Sequence, residues 1–381
     1  MMNYKRVEKE FWTNKQRQAS SIHEVSYRAC FKPQLPKYFI EKYTKEGEVV
    51  YDPFGGRGTT AIEAALLARN FITNDINPLS TLFVIGRLHP PSIQEITDRL
   101  YSKIESDTEI DKIDLSMFYE YETFKEINDL RNYFIKKKHN SYDNIDHWIK
   151  MVATNRLTGH SKGFFSVYTL PPNQATSAKR QIQINLKRNQ TPEYKDTKEI
   201  IIKKSKQLLR NITDQQIKNL DKVRSSSLIL QTDASKTKQI PSNSVTLTVT
   251  SPPFLDIVNY AQDNWLRCWF NDIDLENLAK KITMSKNIED WSAKMSSVFK
   301  ELNRVSKAKG VVAFEVGEIR NGKIKLEDHI IPVAENNGFK VKEIMINKQN
   351  FTKTSNIWGV SNNQGGTNTN RIVLLEKVNN L

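Results

Sequence analysis

The stretch EVVYDPFGGRGTTAIEAALLARNFITND, residues 48–75, restricts the fold of this chain more than any other. Val49-Val50-Tyr51 reads as a short buried strand stopped by Asp52-Pro53. Gly55, Gly56 and Gly58 supply the permissive backbone of a tight turn. Ile62, Ala65 and Leu66 then recur at helical spacing, and Phe71-Ile72 opens a second strand closed by Asn74-Asp75. Two strands joined through a helix pair in parallel, because a parallel pair needs a crossover connection.

The second half repeats the theme. SLILQTDA and SVTLTVTSPPF are expected strands, and SAKMSSVFKELNRVSKAKGVVAFEVGE predicts a helix, a turn at Gly310 and another strand. ENNGFKVKEIMIN and TNRIVLLEK supply the last strands of a mixed sheet. The expectation is a doubly wound, mostly parallel Rossmann-like α/β sheet. Residues 90–224 break the pattern as a largely helical, basic insertion. Within it, residues 175–210 hold ten basic and three acidic residues, half of the excess of +14 carried by the whole chain. An excess of that size suits an anionic partner, nucleic acid first among them, although a run of charge is also an ordinary solvated helix face.

Other classes find little support. Cys30 and Cys268 cannot build a disulfide framework and read as small core residues, and no histidine or cysteine spacing points to a metal. The charged start of the chain does not read as a secretory signal, and no apolar run reaches about 18 residues. A cytoplasmic location is expected.

Two stretches carry chemistry. A glycine turn between strand and helix offers N–H groups to a polar or anionic ligand, though ordinary βα connections also use glycine. Asp52, at a strand's carboxyl end, suits an ammonium, and Asp75 stands where an acid grips ribose hydroxyls. Asp233 ends another strand, where it can accept from an adenine amine or serve as a turn aspartate. The other stretch is Ser251-Pro252-Pro253-Phe254. An exocyclic base amine is a poor nucleophile, because its lone pair is delocalised into the ring. Ser251 Oγ and the Pro252 carbonyl could accept its two N–H groups, Pro253 fixes that carbonyl's direction, and Phe254 offers a face for stacking.

Together these motifs resemble the amino-directed DNA methyltransferases, which methylate cytosine N4 or adenine N6. Asp52 to Thr60 matches the family's D-P-F-x-G-x-G-T-T, and Ser251 to Phe254 matches its [S/N/D]-P-P-[Y/F/W]. Thr250 before the serine looks most like the cytosine-N4 branch. HEVSYRACFKPQLPKYFI, residues 23–40, is similar to the segment preceding the glycine motif, and the stretch 351–377 resembles the closing region of related methylases. The resemblance implies a methyltransferase catalytic domain over 1–89 and 225–381, with 90–224 as an inserted target-recognition region. It implies S-adenosyl-L-methionine as cofactor, held by Phe31, Pro33, Asp52, Pro53, Phe54, Gly55, Gly56, Gly58, Thr59, Thr60, Asp75, Ile76, Asp233 and Ala234. Catalysis would fall to Ser251, Pro252, Pro253 and Phe254, with no metal required. Double-stranded DNA is the expected partner, gripped by Arg180, Lys187 and Arg188 while a base is flipped out. A cognate restriction endonuclease acting on the same site is a further candidate partner.

The alternatives are adenine-N6 methylation, an RNA enzyme of guanine-N2 type, and a silent DNA-binding subunit. A carbon-5 mechanism would need a Pro-Cys nucleophile, which neither cysteine provides. Arg57, standing where a small residue is common, is open to a surface or DNA-phosphate role. Phe164, Phe165 and Tyr168 could form a groove-entering loop or the insert's own core.

Overall fold

The computed structural model describes residues 4–13, 19–27, 30–137, 141–170, 175–253, 262–282, 287–319, 324–352 and 365–378. In chain order it opens with β1 (Arg6–Lys9), α1 (Gln34–Tyr43), β2 (Val49–Asp52), α2 (Thr59–Leu66), β3 (Asn70–Asn74) and α3 (Pro78–Leu88). A helical stretch follows: α4 (Ile93–Ser102), α5 (Tyr121–Lys137), α6 (Asn144–Arg156), α7 (Ala178–Arg188), α8 (Thr197–Leu209) and α9 (Asp214–Arg224). Next come β4 (Leu228–Leu230), β5 (Val245–Thr250), α10 (Trp265–Phe270), α11 (Leu275–Lys281), α12 (Ile288–Val305) and β6 (Ser306–Val316). The short pair β7 (Glu318–Ile319) and β8 (Ile324–Lys325), then α13 (Leu326–Asn336), β9 (Phe339–Thr352) and β10 (Gly365–Lys377), complete the chain.

Eight strands form one sheet in the order β1-β9-β10-β6-β5-β2-β3-β4. All neighbours are parallel except β10, which runs antiparallel to both β6 and β9. The doubly wound expectation holds, and its cause is visible in the strand residues. Val50, Phe71, Val249 and Ala313 face a layer built on α1 and α2, whereas Tyr51, Ile72, Val312 and Phe314 face a layer built on α12 and α13. Alternate residues point to opposite faces, so strands apolar at every position need helices on both sides.

The insertion is helical as expected, but its packing crosses the sequence boundaries. Leu220 and Val223 of α9 belong to the α1/α2 layer, and Asn219 donates to the Leu66 carbonyl at 2.8 Å. Conversely, Leu266, Phe270 and Leu278 of α10 and α11 join the core of α4, α5, α6 and α8, together with Leu79 and Phe83 of α3. Phe165 is also part of that core and Phe164 is buried, so both rings lie inside the insertion, whereas Tyr168 is half-buried with the Arg188 guanidinium over its ring. Among the described residues no helix is long and apolar enough to cross a membrane.

Candidate active site

The strand order reverses between β2 and β5: the chain winds outward through β3 and β4 on one side, and through β6 on the other. Ligands of such sheets lie outside the carboxyl ends of the strands at this reversal. The glycine turn leaves the end of β2 and Ser251-Pro252-Pro253 leaves the end of β5, so the two motifs meet there although they are far apart in sequence. Thr250 Oγ1 donates to Asp52 Oδ1 at 2.6 Å, and Thr60 Oγ1 donates to the Val249 carbonyl at 3.1 Å.

Burial pushes the Asp52 carboxyl up to about 6, against the pull of the Thr250 hydroxyl and the Phe54 N–H. Asp75 is raised by burial too. Its carboxylate accepts from the Gly56 N–H at 2.8 Å and the Asn77 N–H at 2.9 Å. A carboxylate has about four lone-pair sites, so these two donors fill about half of those on Asp75. The turn has little room to spare. Gly58 adopts φ +75°, and a Cβ there would lie 2.3 Å from Val84 Cγ2; at Gly55 it would lie 2.2 Å from Thr73 Oγ1. Thr59 and Thr60 begin α2, and Pro53 is buried beneath the turn.

Arg57 is neither on the surface nor at a place for a DNA phosphate, because it is buried. Its guanidinium donates to the Val25 carbonyl at 3.0 Å, the Phe31 carbonyl at 3.1 Å and Thr59 Oγ1 at 3.0 Å. Arg87, itself fully buried, donates to the Arg57 carbonyl. Val25 and Phe31 are thus strapped to the glycine turn. Pro33 caps α1 at the end of this strap, and Phe31 packs partly against the α1/α2 layer.

At the other motif, the Trp291 indole donates to the Pro253 carbonyl at 3.0 Å. Among the described residues none donates to the carbonyl of Pro252. Phe254 lies outside the described residues. Glu315, on β6, is a group the motif reading missed. Its buried carboxyl accepts from Ser251 and, at 2.5 Å, from Asn370 Nδ2 of β10; burial pushes it up to about 7. The available signal was a lone acid inside the apolar run VVAFEV.

Asp233 adopts the turn role that its position allowed, accepting from Ser235 N at 2.8 Å, and it also pairs with Lys294 at 2.6 Å. Burial alone would raise its carboxyl; the Lys294 ammonium and the Ser235 donors bring it below the usual carboxylate range. Ala234 is buried beside it in the α12/α13 layer, and Ile76 is half-buried after Asp75. Arg180, Lys187 and Arg188 are all exposed on α7.

Parts of the chain are similar to known proteins. Residues 2–80 match the N6/N4 family model described as DNA methylase. The chain is 30% identical over 92 residues to the type II methyltransferase M.MjaII of Methanocaldococcus jannaschii, covering 24% of this chain and 17% of that protein. It is 37% identical over 62 residues to the orphan methyltransferase M.BamHII of Bacillus amyloliquefaciens, covering 16% and 23%. Each match spans under a quarter of the relative's length. A solved structure, TrmN of Thermus thermophilus, aligns with 95% of this chain and 53% of its own at 10% identity, with a TM-score of 0.35. Over its first 80 residues the chain is thus similar to the DNA methylases, by a family model that spans adenine-N6 and cytosine-N4 enzymes alike.

Proposed function

We propose that this chain is a site-specific DNA methyltransferase that uses S-adenosyl-L-methionine to methylate the exocyclic amine of a flipped base, cytosine N4 in the first instance. The observation that carries the reading is the meeting of Asp52 and Thr250, which joins the glycine turn to the Ser-Pro-Pro motif at one end of the sheet.

The residues present fit the cofactor. Two buried acids, each raised by burial, suit a ligand with a cationic centre and ribose hydroxyls. Asp52 would face the methionyl end with Gly55 and Gly58 along it, and Asp75 would take the ribose. Asp233 would approach the adenine, with Ala234 and Ile76 as apolar neighbours. Pro53, Phe54, Gly56, Thr59 and Thr60 would shape the turn, and Phe31 and Pro33 would close the pocket. When bound, the cofactor supplies an electrophilic methyl group on a sulfonium sulfur.

Ser251 Oγ and the Pro252 carbonyl would hold the target amine, with its nitrogen aimed at that methyl group. Nitrogen would take the methyl as the sulfonium C–S bond breaks to leave a neutral thioether, and the positively charged nitrogen would then have to lose one of its protons. Ser251, hydrogen-bonded to Glu315, offers the exit: the amine proton passes to the serine oxygen as the hydroxyl proton passes to the carboxylate. The match of Thr250-Ser251-Pro252-Pro253 to the cytosine branch supports N4 as the target. Arg180, Lys187 and Arg188 would hold the DNA backbone. An endonuclease sharing the site is proposed only for a type II setting, since an orphan methyltransferase is among the relatives.

The test is mass spectrometry of nucleosides from unmethylated DNA incubated with the protein and S-adenosyl-L-methionine. N4-methylcytosine is expected. N6-methyladenine would keep the mechanism and change the base, while label appearing only in transfer RNA would replace the substrate. Ser251→Ala should abolish methylation while DNA binding persists; an unchanged rate would remove Ser251 from the chemistry.

A further inference from the structure

Helix α7 is built largely inside out. Its most deeply buried residue is polar. Gln181, 0% exposed, donates to the Tyr168 carbonyl at 3.0 Å and to Asn185 Oδ1 at 2.7 Å. Asn185 in turn donates to the Met117 carbonyl at 2.8 Å. Of the helix's three large apolar residues, Ile184 is half-buried, while Leu186 is 77% and Ile182 46% exposed, and neither of these two belongs to any of the three cores. A surface helix ordinarily does the reverse, burying its apolar stripe and solvating its polar one. A large apolar side chain held out by an anchored polar seam marks a contact surface.

The charges around it choose the occupant. Lys179, Arg180 and Lys187 flank the apolar pair, the Arg188 guanidinium lies 3.8 Å over the Tyr168 ring, and α7 contains no acid. The exposed amide of Gln183 lies between them. Cations to grip phosphates, an amide to read a base edge and aliphatic groups to meet a thymine methyl together make a groove-reading face. At 11 residues α7 is about 16 Å long, enough to lie in a major groove about 12 Å wide.

Its placement serves the candidate active site. Just before α7, the Ala175 N–H donates to the Asp263 carbonyl at 2.8 Å, and the Trp265 indole donates to the Thr176 carbonyl at 3.0 Å. Asp263 and Trp265 belong to the chain a short way downstream of Ser251-Pro252-Pro253. The base of α7 is thereby tied to the segment that follows the amine-holding motif.

We propose that the outward face of α7, centred on Gln183 and Leu186, enters the major groove of duplex DNA and reads the bases beside the target. The inference rests on DNA being the substrate, and it specifies which element reads sequence.

The experiment compares the wild-type protein with Leu186→Glu and Gln183→Ala. A fluorescein-labelled random-sequence duplex pool serves as the probe, and calorimetric S-adenosyl-L-methionine binding controls for folding. Leu186→Glu should weaken duplex binding at least tenfold. Gln183→Ala, whose side chain is exposed, should change which sequences are retained from the pool at a contiguous few positions. Unaltered binding and unaltered selected sequences would overturn the proposal. So would a change confined to the concentration dependence of the mass in light scattering, because a second copy of the chain would then cover the face. Methyl transfer is not part of this readout, so failure of the proposed chemistry shows in the nucleoside assay and failure of α7 shows here. If Leu186→Glu also loses cofactor binding, the Gln183→Ala result decides alone.

Discussion

Glu315 is a carboxyl group whose protonation ties stability to the proposed chemistry. Burial holds it up to about 7, despite hydrogen bonds from Asn370 and Ser251 that favour the charged form. A carboxyl raised in the folded state binds its proton more tightly there than in the unfolded chain. Stability therefore falls as the pH climbs from the ordinary carboxylate range towards about 7, by on the order of 3 kcal/mol. Glu315→Gln removes that penalty, so its melting temperature should exceed that of the wild type at pH 8, with the gain shrinking or vanishing at pH 5. Catalysis should move oppositely. As proton acceptor Glu315 must be ionised, so wild-type methylation should rise through pH 7 and level off above it. The glutamine variant should be slower by about 10² to 10⁴ and should lose that rise. Equal rates for the two proteins would leave Glu315 a structural residue.

At the scale of elements, the glycine turn and the strap tied to it behave as one unit. Arg57 satisfies two backbone carbonyls of the strap, and leaving a buried acceptor unpaired costs about 1–3 kcal/mol. Arg57→Ala should therefore weaken S-adenosyl-L-methionine binding about tenfold in calorimetry, while duplex binding stays near wild type. Lysine should not rescue it, since a single ammonium cannot reproduce the guanidinium's fixed fork. Gly58→Ala meets both a positive φ and the Val84 methyl, so its melting temperature should fall and its cofactor affinity with it. Much of this region was legible in the sequence, because strand, glycine turn and helix are local patterns spelled out by neighbouring residues. Arg57 was not, since its acceptors are carbonyls, which any residue provides, and they lie a full helix and strand upstream. Nor was β1, whose partner β9 is supplied by the far end of the chain. The motif at Ser251 was readable, but Glu315 was not, because only the pairing of β5 with β6 brings the acid beside the serine. At α7 the run QIQINL alternates apolar and polar residues with the period of a strand, so it does not say which face of the helix turns inward.

For the whole molecule the question is whether the insertion is a module. Sequence composition divides the chain at residues 90 and 224, yet the folded chain shares its cores across both limits. Leu79 and Phe83 precede the insertion and Leu266 and Phe270 follow it, but all four pack with Phe118, Phe134 and Trp148 inside it. A core made by three separated stretches of chain cannot be lost from one without exposing apolar surface on the others. The strap adds a second tie, because Asn155 of α6 donates to the Ser26 carbonyl at 2.7 Å and Arg267 donates to the same carbonyl at 3.1 Å. Separate unfolding of the insertion would therefore release the strap that Arg57 holds to the glycine turn. We expect a single calorimetric unfolding transition. Phe134→Ala, which removes a fully buried ring from the insertion's core, should destabilise by about 3–5 kcal/mol. The whole endotherm should shift to lower temperature, and saturating S-adenosyl-L-methionine should raise the variant's single melting temperature as it raises that of the wild type. Two resolved transitions, of which only one moves with Phe134 and only the other with cofactor, would mean that the insertion folds as its own unit. The coupling between α3, α10 and the insertion would then be too weak to carry cooperativity across the molecule.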